Sequence, residues 1–233
     1  MPISAQADIE ITGFEWVPSF ARGHVRDLRP RWACEEMGLP YRERLISAMS
    51  RPDWYFREQP WGQVPVVRDG EITVFESGAT LVHLAERGRH DGALLPSAGQ
   101  ARASVLSWTF AAFNSIEPHV FEWANVSIFA AKQEWAQLRR PSLLQELGGR
   151  LDRLQHALGD REWLTGAFSI ADIAMVTILR GLDDAELLQA RPGLSDYVAR
   201  GMARPAFQTA LAAQLAAFST NPPARPEQPT VEV

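Results

Sequence analysis

Glu76 and Ser77 are the first residues to weigh for chemistry, because of where they stand. They close the stretch GQVPVVRDGEITVFESG (Gly62 to Gly78), and a helical pattern runs on from Ser77 to Arg87. A serine at such a mouth offers its hydroxyl to orphan backbone N–H groups. The helix end is also partly positive and suits an anion. Each residue alone has a plainer reading, Ser77 as a cap and Glu76 as a solvated charge. A second set lies in EWVPSFARGHVRD (Glu15 to Asp27) and just beyond it, where Ser19 precedes Arg22, Arg26, Arg29 and Arg31. On a chain of net charge -5, that local cluster favours anions. A solvated helix face accounts for at least two of the four arginines, and Ser19 also reads as an ordinary loop serine after Pro18. A third set is Trp108, Phe113, Asn114 and Glu117, beside Pro118. Its aromatic members serve a core as readily as a pocket.

Several classes of chemistry drop out. The five histidines (His24, His83, His90, His119, His156) have no metal-ligand spacing, so no metal is expected. No glycine-rich phosphate loop or dinucleotide fingerprint is present. Cys34 is the one cysteine, which precludes an internal disulfide and fits a reducing compartment. The negative net charge argues against a nucleic-acid binder. No run approaches the ~18 apolar residues of a membrane span, so no membrane partner is expected. MPISAQADIEIT lacks a basic region followed by an apolar one, so no secretory signal is expected and the protein should be cytoplasmic.

The elements that must carry these residues follow from pattern. Hydrophobic residues make up 46% of the 233, enough for a substantial core. Ile9 to Trp16 and Tyr41 to Ser47 read as strands. Between them a helix reaches Met37 and stops at Gly38. The pattern begins at Val25, but Pro30 is tolerable only in a first turn, so the regular helix either begins near Leu28 or kinks there. Val64 to Val67 and Ile72 to Phe75 read as a hairpin about Asp69-Gly70. The helix from Ser77 to Arg87 must cover one face of the small mixed sheet. Periodicity stops between Gly88 and Gln100, a linker.

Beyond Ala101 the pattern is helical throughout. A helix from Arg102 to Ile116 is bent or broken by Pro118, and Pro141 opens another. FSIADIAMVTIL (Phe168 to Leu179) is apolar nearly all round and should be buried, with Ser169 and Asp172 forming a capping box. Further helices are expected from Leu194 to Ala203 and from Pro205 to Phe218. The tail STNPPARPEQPTVEV should be flexible.

A β-α-β-β-α unit followed by a linker and an all-helical half resembles the glutathione S-transferase family, over nearly the whole chain to about Phe218. The most specific parts are GQVPVV…DG…FESGA (Gly62 to Ala79) and FSIADIAM (Phe168 to Met175). RWACEEMGLPY (Arg31 to Tyr41) and RPAF (Arg204 to Phe207) add to it. The resemblance implies an α/β thioredoxin-like N-terminal domain over residues 1–88 and an all-α C-terminal helical domain over 100–218, with a Pro-rich tail over 219–233.

The resemblance also implies a cis Val64–Pro65 bond that turns the Val64 backbone toward the cysteinyl part of glutathione. Gln63 would lie close to the bound peptide, and Glu76 and Ser77 would grip its γ-glutamyl end. Arg22 and Arg26 would stand nearest the thiol. The family usually supplies a Tyr, Ser or Cys hydroxyl or thiol after the first strand, to stabilise the thiolate. Tyr41, Tyr55 and Tyr197 lie elsewhere, and Cys34 comes several residues late and reads as a small buried hydrophobe. Ser19 is the remaining hydroxyl, although counting back from GLPY the usual position falls nearer His24. Backbone N–H groups of Phe20 to Gly23 are the other candidate.

Trp108, Phe113, Asn114 and Glu117 would line an electrophile pocket. The implied protein is a cytoplasmic homodimeric transferase that conjugates glutathione, its cosubstrate, to small hydrophobic electrophiles in detoxification. A glutathione-dependent isomerase or dehalogenase, and a non-catalytic scaffold of the same fold, are the alternatives.

Overall fold

A computed structural model describes residues 3–88, 94–182 and 186–223 of the chain. It divides into two compact units, one formed by Met1–His83 with the segment from Thr209 onward, the other by Leu84–Gln208. The first unit is thioredoxin-like. Strand β1 (Ile9–Phe14) pairs in parallel with β2 (Tyr41–Ile46) and antiparallel with β3 (Val66–Asp69). Strand β4 (Ile72–Phe75) completes the order β2-β1-β3-β4 by pairing antiparallel with β3. A parallel pair needs a crossover, and helix α1 (Leu28–Met37) supplies it. Gly38, at φ 64, ends that helix in the left-handed conformation that favours glycine. The hairpin turn falls at Gly70-Glu71, one residue later than the expected Asp69-Gly70, because Asp69 still belongs to β3 and pairs with Ile72, while helix α2 (Ser77–Arg87) stands where the pattern placed it.

Every residue of α1 from Leu28 to Cys34 is buried, the charged ones included. Arg29 and Arg31 therefore correct the expectation of a solvated face. A buried guanidinium must be paired. Arg31 holds Asp27 at 2.8 Å and also Glu43 on β2. Cys34 is fully buried, and burial pushes its thiol well above the ordinary range.

The second unit is helical among its described residues. Helix α3 (Gly99–Ala111) leads through a π-helical segment, Ala112–Ile116, into α4 (Glu117–Ala124). A second π-helical segment, Asn125–Phe129, follows. Pro118 therefore does not end the helical run. The wider π turn, closed by the Glu117 N–H on the Ala112 carbonyl, precedes it and accommodates the ring. Helix α5 (Glu134–Leu158) begins well before Pro141. Ala136 packs with Val126 and Leu143, and that burial holds the turns ahead of the proline.

Helix α6 (Ile170–Leu179) is buried at every position but Thr177. Its capping box is present: Asp172 accepts the Ser169 N–H at 2.9 Å. The same carboxylate accepts the Leu164 N–H at 3.0 Å and the Tyr197 hydroxyl at 2.9 Å. Burial pushes its pKa up, and these hydrogen bonds pull the other way. Helices α7 (Glu186–Gln189), α8 (Pro192–Met202) and α9 (Pro205–Ala217) follow. Of the expected linker, 89–93 lie outside the described residues, as do His90 and positions 224–233 of the tail.

Candidate functional site at one end of the sheet

The register of the sheet gathers the first two residue sets. Val66 on β3 opposes Phe75 on β4, so Val64-Pro65 and Glu76-Ser77 fall side by side at the same end. Ile11 opposes Val67, which brings the C-terminal end of β1 to that end too. The loop between β1 and α1, with Ser19, Arg22 and Arg26, leaves from there.

The backbone at this end is unusual. The Val64–Pro65 peptide bond is cis. Neither the N–H nor the C=O of Val64 is paired with another described residue. Most buried backbone polar groups are paired, and Val64 is buried. Exposed Gln63 precedes it, its carbonyl held at 2.6 Å by the hydroxyl of buried Tyr55. Pro65 is buried beside it.

Glu76, at φ 67, is the one non-glycine residue of positive φ among those described. That region is costly for a side chain and tends to mark functional positions. Glu76 is exposed and Ser77 is buried. The Ser77 hydroxyl accepts a 2.9 Å hydrogen bond from Nη1 of Arg29. A buried cation thus stands behind the N-terminus of α2 and adds to its positive end. Arg29 took no role of its own in the sequence reading. Its signal, one arginine among four, does not say which guanidinium turns inward.

Ser19 lies in a short 3-10 turn, Ser19–Ala21, and is exposed. Its hydroxyl has no partner among the described residues. Two of the backbone candidates are already engaged: the Ala21 N–H on Pro18 at 2.9 Å and the Arg22 N–H on Ser19 at 3.2 Å. Arg22 donates from Nη2 to the Ser219 carbonyl at 2.9 Å and lies over the Phe218 ring. Arg26 is half-buried in the same loop, and His24 is exposed.

The third set belongs to the second unit. Trp108 on α3 is half-buried, and Phe113 and Asn114 lie in the first π-helical segment with Glu117 directly after it. Asn114 is exposed, while Phe113 and Glu117 are half-buried. Among the described residues no group of three or more His, Cys, Asp or Glu is arranged to hold a metal, and no helix is long and apolar enough to cross a membrane.

Residues 20–86 match the family model described as the glutathione S-transferase N-terminal domain. Glutathione S-transferase tcpG of Claviceps purpurea is 30% identical over 98 residues, which cover 37% of this chain but only 39% of that protein. Glutathione S-transferase F6 of Arabidopsis thaliana is 27% identical over 173 residues, 67% of this chain and 78% of the relative. Among solved structures, a glutathione transferase family member from Pseudomonas fluorescens, with two glutathione bound, superposes with a TM-score of 0.77. It is 25% identical, over 89% of this chain and 94% of the other.

Proposed function

The chain belongs to the glutathione S-transferase family, and from that premise we propose that it binds glutathione at the end of the first unit's sheet and conjugates its sulfur to small hydrophobic electrophiles. The observation that carries this reading is the unpaired backbone of Val64 beside the strained Glu76. An extended peptide can add to such a backbone as a further strand. The cysteinyl part of glutathione would pair with the N–H and C=O of Val64, with Gln63 and Pro65 flanking it. The γ-glutamyl carboxylate would meet Ser77 and the first N–H groups of α2, and its ammonium would face Glu76.

The thiol end would then point toward the loop after β1. Ser19, with an exposed hydroxyl and no partner among the described residues, would donate to the sulfur. A hydrogen bond to the thiolate favours the charged form, and Arg22 and Arg26 act in the same direction. The thiolate sulfur attacks the electrophilic carbon and a C–S bond forms. In a substitution the leaving group departs with the displaced electron pair. In an addition, the carbanion formed takes a proton from solvent.

Trp108, Phe113, Asn114 and Glu117 are proposed to line the electrophile site. A homodimer in the cytoplasm is part of the same proposal, supported by exposed apolar residues such as Phe121, Phe129, Trp135 and Leu138 on the second unit. Calorimetry of glutathione binding tests the reading, with wild type beside Glu76→Ala and Ser19→Ala. Micromolar to millimolar binding by wild type and much weaker binding by Glu76→Ala are expected. Unchanged affinity with a raised thiol pKa in Ser19→Ala identifies the donor. No binding by wild type at saturating glutathione sinks the reading and leaves the scaffold alternative.

A further inference from the structure

Residues from the far end of the chain fasten the loop between β1 and α1 at three points. Gln214 on α9 is fully buried. Its Nε2 donates to the Val25 carbonyl at 3.0 Å and to Oδ1 of Asp27 at 2.5 Å. One amide group thus holds the last turn of the loop and the residue that precedes α1. Just past the end of α9, the Ser219 N–H donates to the Glu15 carbonyl at 2.7 Å, where the loop begins. The Ser219 carbonyl accepts from Arg22, in the middle. Within the loop itself, the backbone bonds are short-range turns at Ala21, Arg22 and His24.

Asp27 is the junction. It is buried, it accepts from Nε of Arg31 at 2.8 Å, and it takes the Gln214 amide on its other oxygen. It also sits hard against β1: a Cβ at Gly13 would stand 2.8 Å from its Oδ2. Asp27 is therefore fixed from the strand, from α1 and from α9 together. The route of the loop depends on a contact 187 residues away in sequence.

We propose that Gln214 is a positioning residue for the thiol site, and that the segment from Gln214 to Ser219 is a strap that sets where the Ser19–Arg22 turn stands. This rests on the reading that the loop receives the glutathione thiol. The strap's hydrogen bonds go to the loop and to Asp27 at the head of α1. The groups assigned to the glutathione backbone, at Val64, Glu76 and Ser77, come from β3, β4 and α2. Loosening the strap should therefore alter ionisation of the bound thiol far more than affinity.

The test uses the full chain and two variants. Gln214→Met keeps the shape of the buried side chain and removes its donor. Ser219→Pro removes one N–H at an exposed position, and a thermal melt checks that folding is kept. Amide exchange across residues 19–25 should quicken about tenfold or more in each, as expected when a local closure is lost. Glutathione affinity by calorimetry should stay within about twofold, while the thiolate absorbance titration moves up by about one pH unit, the scale of one lost charge-assisted contact. Unchanged loop exchange in both variants overturns the strap. Quickened exchange with an unmoved thiol titration overturns the positioning role. If wild type binds no glutathione, the site reading fails first and takes the thiol role with it, and the exchange data then separate that failure from a failure of the strap.

Discussion

Arg29 and Ser77 meet in the interior of the first unit, guanidinium to hydroxyl at 2.9 Å, 48 residues apart in sequence. The contact joins α1 to the mouth of α2. Ser77 is thereby oriented from behind by a buried cation, and the same cation reinforces the positive end of the helix. Ser77→Ala removes one buried acceptor from that guanidinium. The variant should lose about 1–2 kcal/mol of stability, the cost of a broken buried hydrogen bond to a charged group. Glutathione affinity should fall with it. Urea unfolding and calorimetry on one preparation check both.

Glu76→Gly separates strain from binding. Glycine adopts positive φ without steric cost, so the ligand-free variant should be stabilised by about 1 kcal/mol. Its glutathione affinity should drop about tenfold or more, since the carboxylate proposed to face the ammonium is gone. A thermal melt and a binding titration read the two opposite changes. A variant that is less stable and still binds would contradict the assignment.

Asp172→Ala should destabilise the second unit by roughly 3 kcal/mol, because it strands buried donors at Leu164, Ser169 and Tyr197. Glutathione affinity, measured well below the melting temperature, should be unchanged. Denaturant unfolding with a parallel binding assay distinguishes this structural role from a catalytic one.

His119 makes stability depend on pH. Its Nε2 accepts from Nε of Arg150 at 3.0 Å, which requires that nitrogen to be unprotonated. Burial first, and Arg150 next, hold its pKa below the ordinary 6.5. Arg139 acts in the same sense, and Glu146 and Glu122 oppose it. The unfolded chain therefore takes up the proton at higher pH than the folded one does. The stabilisation is complete above the ordinary histidine pKa and is lost as pH falls through the folded value. The urea midpoint should decline from about pH 8 to about pH 5, and His119→Gln should flatten part of that decline.

Local patterns were legible where one short stretch contains both cause and effect. A hairpin turn at Gly70, though one residue later than expected, the Ser169–Asp172 capping box and the stop at Gly38 each depend on residues a few positions apart. The helix through Pro118 and the early start of α5 were not legible. A proline signals a break locally; at Pro141 the burial that overrides it comes from Val126 and Leu143, which pack on Ala136, and at Pro118 the wider turn ahead of the ring absorbs it. At the site, the motif from Gly62 to Gly78 announced Val64, Glu76 and Ser77 together. The division of the four arginines, two buried and two half-buried, had no such signal.

What the sequence determined by itself was the order of elements and the chemical types available at each: a proline ahead of a hairpin, a glutamate and serine ahead of a helix, a hydroxyl in a loop. These follow from short-range sterics, hydrogen bonding and the periods of helix and strand. Tertiary structure alone decided which of those groups are held and which stand free. Arg29 turns inward because α1 is buried on every side over its first two turns. Asp27 is fixed because Gln214 reaches it from α9, while Ser19 stays exposed. The reason is burial. A polar group removed from water must find its partner wherever the packed chain brings one, and that partner has no set distance in sequence.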